Sequence, residues 1–330
     1  MAEVAKVAGV SHQTVSRVVN GFPGVGPQTR ERIEAAIIQT GYRRNSAART
    51  LVTRKSGLIG VITVGSFLYG PTSTLAAIDE AAREHGYSIL LSSVQEGEAT
   101  TFQRAIGSCL DRTVEAIVVI AARKATVDHL EELDLDVPMV VVGPASRDLP
   151  NLNCLSVNQA QGARLAVEHL VELGHRDIAL LTGPASWMDA RERLEGARQA
   201  CEEAGLVPRV YEGDWSAADG YKYGNNLAQN VQKMPTAIFA ANDHMALGLI
   251  AAFHANDIKL PEQVSLVGFD DVPEAAYYSP ALTTVHQDFT TLGRKVLAAT
   301  LSLLEGKSPD MTPVIARLRK RNSTTAPLHR

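Results

Sequence analysis

The chain has 330 residues, 45% hydrophobic and 21% charged, which excludes disordered, fibrous and disulfide-framework classes and implies two or more globular domains. The formal net charge of −4 hides an asymmetry: residues 1–55 hold nine Lys/Arg against three Glu, a net +6, so the remainder carries −10. A basic end on an acidic body predicts a polyanion partner for that end alone. Cys109, Cys154 and Cys201 lie far apart, with neither metal-ligand nor disulfide spacing, and are expected as free thiols in a reducing compartment. The N-terminus lacks a secretory apolar segment and no apolar run is long enough to span a bilayer, so the expected location is cytoplasmic.

Three short helical patterns open the chain. The first covers Ala2–Ala8, with Val4 and Val7/Ala8 on one face, and Gly9-Val10 makes a turn. Ser11 is placed to cap a second helix running to about Asn20, with Val15, Val18 and Val19 inward and Asn20-Gly21 ending it. The third runs from about Pro27 to Thr40, with Ile33, Ala36 and Ile37 at helical spacing, Pro27 in its first turn and Gly26 as N-cap. Two helices around a tight glycine turn, supported by a third, is the plan of a helix-turn-helix head. The second helix offers His12, Gln13, Thr14, Ser16 and Arg17 away from its core side. Such side chains pair with base edges and phosphates, Gln with adenine and Arg with guanine. A solvated face on a small three-helix domain gives the same periodicity, so the pattern alone leaves both readings open.

From Gly57 onward apolar strands alternate with amphipathic helices. Strands are expected at Leu58–Thr63, Ser88–Ser92, Ala116–Ile120, Met139–Val142, Ile178–Leu181, Ala237–Ala240 and Ser265–Val267. Helices are expected near 73–85, 100–110, 159–172, 189–204, 217–231, 243–256 and 290–304. Parallel sheets covered on both faces follow, and the number of units favours two lobes with a cleft between them. Ligands bind beyond the carboxyl ends of such strands. Asn242 and Asp270 stand just past strands, and Arg193 is expected to open the helix after Gly183-Pro184. Each has a plainer alternative: Asn242 or Asp270 as a helix cap, Arg193 paired with Glu192 or Glu195, Trp215 as core. Asp270-Asp271, adjacent on a turn, point apart, so one is expected to be a ligand group and the other structural. No nucleophile elbow, phosphate loop or zinc spacing occurs. Gly21, Gly24 and Gly26 have loose phosphate-loop spacing but follow no strand. No enzyme activity, cofactor or metal is expected.

The stretch Val4-Ala5-Lys6-Val7-Ala8-Gly9-Val10-Ser11-His12-Gln13-Thr14-Val15-Ser16-Arg17-Val18-Val19-Asn20-Gly21 resembles the signature of the LacI/GalR repressor family, close to its lactose-repressor type. Thr29-Arg30-Glu31-Arg32-Ile33 and Gly41-Tyr42 continue the match. The body shares Gly174-His175-Arg176-Asp177-Ile178-Ala179, Gly213-Asp214-Trp215-Ser216, Ala241-Asn242-Asp243-His244-Met245-Ala246-Leu247-Gly248, Val267-Gly268-Phe269-Asp270-Asp271 and Leu282-Thr283-Thr284-Val285. The resemblance implies an all-α helix-turn-helix head at 1–42 and a hinge helix and linker at 43–56. An α/β body of the type I periplasmic-binding-protein fold follows at 57–330, with lobe one about 57–156 and 286–314 and lobe two about 157–285 and 315–323. It implies His12, Gln13 and Arg17 as base readers in the major groove, with Thr14, Ser16 and Asn20 nearer the DNA backbone. In the hinge, Arg44 stands where the family has proline and offers a phosphate contact, alongside Asn45 and Arg49, while Leu51 is the expected minor-groove wedge. A plain basic linker is the alternative. The family carries a few residues ahead of Met1, including a Thr that caps the first helix, so either a looser head or a true start upstream of Met1 is expected.

For the body the resemblance implies effector hydrogen bonds from Arg193, Asn242, Asp270 and Gln287 and a stacking ring at Trp215. Phe289 lies where the chain returns to lobe one. Gly143 and Ile120 stand where the related type has polar effector contacts, while Tyr69, Trp187 and Asp189 are this chain's own. The expected effector is a carbohydrate, with a β-galactoside or another β-linked oligosaccharide as candidates. The expected assembly is a homodimer on a pseudopalindromic operator, with contact through the helices starting near Pro71–Thr74 and no heptad tail before Arg330. The competing readings are a cytoplasmic sugar-binding protein on the same fold and a regulator using a non-sugar co-repressor.

Overall fold

The computed structural model describes residues 1–19, 21–42, 55–65, 68–94, 99–121, 123, 126–127, 130, 133, 135–143 and 152–328. Two compact units separate, Met1–Ser56 and Gly57–Arg330. Asn20, Arg44, Asn45, Arg49 and Leu51, and so the hinge expectations, lie outside the described residues.

In the first unit three helices form: α1 (Ala2–Ala8), α2 (His12–Val19) and α3 (Pro27–Thr40). Gly9 takes the left-handed conformation that ends α1, and Arg32 reaches back from α3 to donate to the Ala8 carbonyl at 2.8 Å, satisfying an otherwise orphaned helix-end acceptor. The Thr14 amide donates to the Ser11 hydroxyl at 3.1 Å, the cap expected of Ser11. α1 has no side-chain cap at Met1. Val4, Ala5, Ala8, Val15, Val18, Ile33 and Ala36 make the core. Val7, expected inward, is 45% exposed. At about 100° per residue Ala5 and Val7 flank Val4 on opposite sides, and the smaller Ala5 takes the close side against the neighbouring helices.

The second unit is built on two sheets. The first has five parallel strands in the order β2-β1-β3-β4-β5: β1 (Leu58–Val64), β2 (Ser88–Val94), β3 (Ala116–Ile120), β4 (Met139–Val142) and β5 (Cys154–Leu155). The second has six, and its far-edge strand alone is antiparallel to its neighbour. Its members are β6 (Ile178–Thr182), β7 (Arg209–Glu212), β8 (Ala237–Ala240), β9 (Ser265–Asp270), β10 (Thr283–His286) and β11 (Arg317–Arg319), in the order β11-β10-β9-β8-β6-β7. Fully buried runs such as Ala116–Ile120 and Ile178–Thr182 are what sheets covered on both faces require.

The covering helices are α4 (Tyr69–Glu84), α5 (Ala99–Asp111), α6 (Gln159–Glu172), α7 (Met188–Glu203), α8 (Ala217–Ala228), α9 (Asp243–Ala255) and α10 (Phe289–Leu304). The short strands β5, β7, β10 and β11 fall outside the expected set. The chain passes between the sheets three times: from β5 to α6, from β10 to α10, and from α10 to β11. Two passages are zipped by a Val157–Val314 bridge, with Asn158 donating to the Val314 carbonyl at 2.8 Å and Val314 to Ser156 at 2.9 Å. Beyond β11 the tail runs back beside β9. The Leu266 amide donates to the Ser323 carbonyl at 2.7 Å, and the fully buried Ser323 hydroxyl returns a bond to Leu266 at 2.6 Å.

Candidate functional sites: an exposed helix face and an interlobe cavity

On the head, α2 buries Val15 and Val18 and turns His12, Gln13 and Arg17 to solvent, with Thr14 and Ser16 half-buried at the flank. His12, Gln13, Ser16 and Arg17 share one concave surface with Phe22 and Pro23. The Thr14 hydroxyl is held at 2.8 Å from that of Ser11, so it is turned toward the helix start. The Phe22 amide donates to the Arg17 carbonyl at 2.9 Å, which fixes the loop beside the exposed face of α2.

In the body a cavity lies between the two sheets. Its wall residues stand just past strand carboxyl ends: Ala121 after β3, Gly143 after β4, Ser156 after β5, Asn242 after β8, Asp270 at the end of β9 and Gln287 after β10. All nine residues singled out from the sequence line it: Tyr69, Trp187, Asp189, Arg193, Trp215, Asn242, Asp270, Gln287 and Phe289.

Four buried side chains close a hydrogen-bond circuit on the wall. Arg193 Nε donates to Gln159 Oε1 at 2.8 Å, Gln159 Nε2 to Gln287 Oε1 at 2.9 Å, and Gln287 Nε2 to Asp270 Oδ1 at 2.7 Å. Arg193 Nη1 completes it with Asp270 Oδ1 at 3.4 Å while donating to the Ala241 carbonyl at 2.5 Å. The guanidinium carbon also lies 3.9 Å from the centroid of the Phe269 ring. Arg193 therefore pairs with neither Glu192 nor Glu195; it sits in the second turn of α7 and turns inward, and Glu195 instead takes a bond from Gln199. Gln159 is not among the residues expected at the site. It opens α6 immediately after Asn158, whose side chain caps that helix, and this position past a strand end was its signal.

Asn242 caps α9 by accepting from the Met245 amide at 2.9 Å and donates to the Trp215 carbonyl at 2.9 Å. The cap and the cavity wall are thus one residue. Trp215, held at φ +74°, is buried with its ring over Gly183. Trp187 meets it edge-on, with centroids 5.8 Å apart, and Tyr69 meets Phe289 likewise at 5.9 Å. Aromatic walls with a few convergent polar groups suit a ligand with apolar patches and a hydroxylated rim.

Burial sets the electrostatics. It pushes Asp270 up to about 6, against Arg193 and Gln287, which favour the carboxylate. Burial raises Asp189 too, with Arg193 opposing, and burial plus the nearby Asp189 lifts Glu192 to about 7. Asp271 is structural, as expected of one of the pair: Arg321 and His286 hold it at 2.6 and 3.0 Å. Asp243, also unforeseen, accepts from the Thr284 hydroxyl at 2.5 Å and the Val272 amide at 2.9 Å. It thereby fixes the turn that carries Asp270. Among the described residues no cluster of His, Cys, Asp and Glu could hold a metal, and no helix is long and apolar enough to cross a membrane.

Comparison with known proteins matches these two parts. Residues 1–45 match the profile of bacterial regulatory proteins of the lacI family, and residues 167–324 that of the periplasmic binding protein-like domain. The chain is 36% identical to the lactose operon repressor of Escherichia coli over 98% of its length and 90% of that repressor's. It is 35% identical to the transcriptional repressor PurR of Actinobacillus pleuropneumoniae, covering 89% of this chain and 88% of that one. Among solved structures, the Lac repressor dimer bound to operator and an anti-inducer superposes with a TM-score of 0.85 at 35% identity, over 98% of each chain. A complex of the transcriptional regulator CelR with cellobiose gives 0.72 at 26% identity over 97% of this chain and 98% of that one. The chain belongs to the LacI family of bacterial transcription regulators.

Proposed function

We propose that the chain represses transcription by reading a pseudopalindromic operator as a homodimer and is released from it by a carbohydrate held in the interlobe cavity. The observation that carries the reading is the division of labour on α2. Its apolar residues are spent on the head core, while His12, Gln13 and Arg17 remain exposed on one concave surface, chemically matched to base edges. Relatives solved with operator and an anti-inducer, with ONPG in a repressed state, and with cellobiose support operator reading and ligand binding by this fold. The relatives are repressors rather than enzymes, and a regulator of this kind acts in the cytoplasm. Operator and sugar act on one chain, so any effect of sugar on operator affinity must be mirrored by an equal effect of operator on sugar affinity.

Selection of sites from random duplex DNA with the purified dimer tests the first half, and recovery of one pseudopalindrome is expected. Titration of that duplex complex with neutral sugars tests the second, and release of DNA is expected. A sugar that binds equally with and without operator would refute the coupling, and a ligand that tightens the complex would reverse its sign.

A further inference from the structure

The head exposes an aromatic ring that its own core does not use. Val10, Val19, Val25, Ile37 and Tyr42 pack against the buried cluster of the head, whereas Phe22 does not and is 58% exposed. Phe22 stands just beyond α2, in the loop that leads to α3. The backbone there is fixed. Gly21, at φ +72°, donates to the Val18 carbonyl at 3.1 Å, and Phe22 donates to the Arg17 carbonyl at 2.9 Å. Gly24, at φ +98°, turns the chain past the Arg17 guanidinium, whose Nη1 would lie 3.8 Å from a Cβ at that position. Phe22 and Pro23 thereby share one concave surface with His12, Gln13, Ser16 and Arg17. Val7 and Ile38, the other exposed large apolar residues of the head, do not line that surface.

A lone exposed apolar residue is ordinary on a protein surface. One held among hydrogen-bonding side chains, on a concave face of the basic end of the chain, has a narrower use. His12, Gln13 and Arg17 match the donors and acceptors of base edges, and a phenyl ring offers neither. The one apolar group on the major-groove edges of the base pairs is the thymine C5 methyl. We propose that Phe22 is a specificity-determining residue for the operator: its ring packs on the C5 methyl of a thymine in each half-site and adds an apolar contact to the hydrogen-bond reading by α2. His12 and Gln13 open α2, whereas Phe22 follows its end. At about 1.5 Å per residue the helix from His12 to Val19 covers about 10 Å, or about three base-pair steps. The thymine therefore belongs to a different base pair from the one that Gln13 meets. This rests on the operator reading above and adds a determinant to it.

The test is binding of the full chain, by fluorescence anisotropy at fixed salt, to the duplex recovered by selection. Each thymine of one half-site and its symmetry mate are replaced in turn by uracil, which removes the C5 methyl and nothing else. For the wild type, one such pair of replacements is expected to weaken binding by about fifteenfold, or about fourfold per half-site, the worth of one buried methyl. F22A is expected to bind the thymine duplex at least about fifteenfold more weakly than the wild type and to respond by less than about twofold to uracil at that pair. Wrong base pairs elsewhere in the site should cost F22A what they cost the wild type, a pattern that a general loosening of the head would not give. F22S should behave as F22A does; both are expected to fold, because Phe22 lies outside the head core, and the pair guards against a fold defect in either. A selected site in which no thymine methyl matters to the wild type overturns the proposal, as does a methyl effect that survives whole in folded F22A or F22S. If selection recovers no preferred site, the operator reading fails first and this one with it.

Discussion

Gly183 decides where the Trp215 ring lies. A Cβ built there would fall 2.1 Å from ring carbon Cζ2, with the rest of the six-membered ring close behind. The indole is also committed by a left-handed backbone at φ +74° and by the Asn242 bond to its carbonyl. Gly183→Ala is therefore expected to push the ring off the wall, costing about 1–3 kcal/mol in urea unfolding and changing tryptophan emission; an unchanged spectrum would mean that the ring finds the same seat. Asp270 makes a second prediction at this scale. Its carboxyl is raised to about 6 from an ordinary 3.8, so between those values the folded chain holds more protons than the unfolded one. The contribution of Asp270 to stability then falls as pH rises through that window and is flat above it. Asp270→Asn removes this dependence. The stability of the variant relative to the wild type should rise between pH 4 and pH 6, read from urea midpoints, whatever its absolute sign at neutral pH. A constant difference would show that the carboxyl titrates normally.

At the scale of elements, a helix N-terminus and a ligand wall coincide in α9. Asn242 accepts from Met245 and donates to Trp215, so Asn242→Ala should cost about 1–2 kcal/mol from the lost cap alone. Asn242→Ser keeps an acceptor for the cap and should recover most of that loss without restoring the Trp215 bond, a split that thermal melts of the two variants read directly. Helices are legible in the sequence because their signals are local: Ser11 and Pro27 mark starts, Gly9 and Gly21 mark ends, and apolar residues recur at helical spacing. The missed strands are short and take their conformation from neighbours. β5 has two residues, and β11 is an edge strand whose two arginines flank one half-buried leucine. β10 buries Thr283 and Thr284, polar residues that read as a loop until Ser323 and Asp243 are seen to bond them. The same limit explains the site. Asn242 and Asp270 follow strands long enough to recognise, whereas Gln159 follows a two-residue strand, and its place in the circuit depends on partners 34 and 128 positions away.

For the whole molecule, the second lobe is closed by its own C-terminal tail, and two histidines fasten it. His175, from the Gly-His-Arg-Asp stretch that carried part of the family resemblance, is buried with Nε2 at 2.9 Å from the Thr325 carbonyl and Nδ1 at 3.0 Å from the Thr236 hydroxyl. A carbonyl only accepts, so Nε2 carries the proton, and in the neutral ring Nδ1 shares the Thr236 hydroxyl proton with the Asp177 carbonyl, which lies 3.1 Å from that hydroxyl. His169 bonds the Thr324 hydroxyl at 3.0 Å, and its buried Nδ1 has no partner among the described residues. Burial lowers both histidines below the usual 6.5, for His175 against the opposing bond to Thr325. Below that value the unfolded chain binds protons that the folded chain refuses, so the stability due to these rings is complete above pH 6.5 and drains away as pH falls. The buried carboxyls Asp270, Asp189 and Asp243 slope the other way, so the raw pH curve mixes opposite trends and a variant must isolate the histidine part. His175→Gln can keep a donor for Thr325 but cannot titrate. It should be less stable than the wild type at pH 7.5 by about 1–2 kcal/mol, through lost packing and the lost Thr236 bond. That deficit should narrow steadily between pH 6.5 and pH 5, because only the wild type is still losing stability to protonation at this position. A deficit that stays constant across the window would mean that His175 is protonated as readily in the folded chain as in the unfolded one, and that the tail is fastened by packing alone.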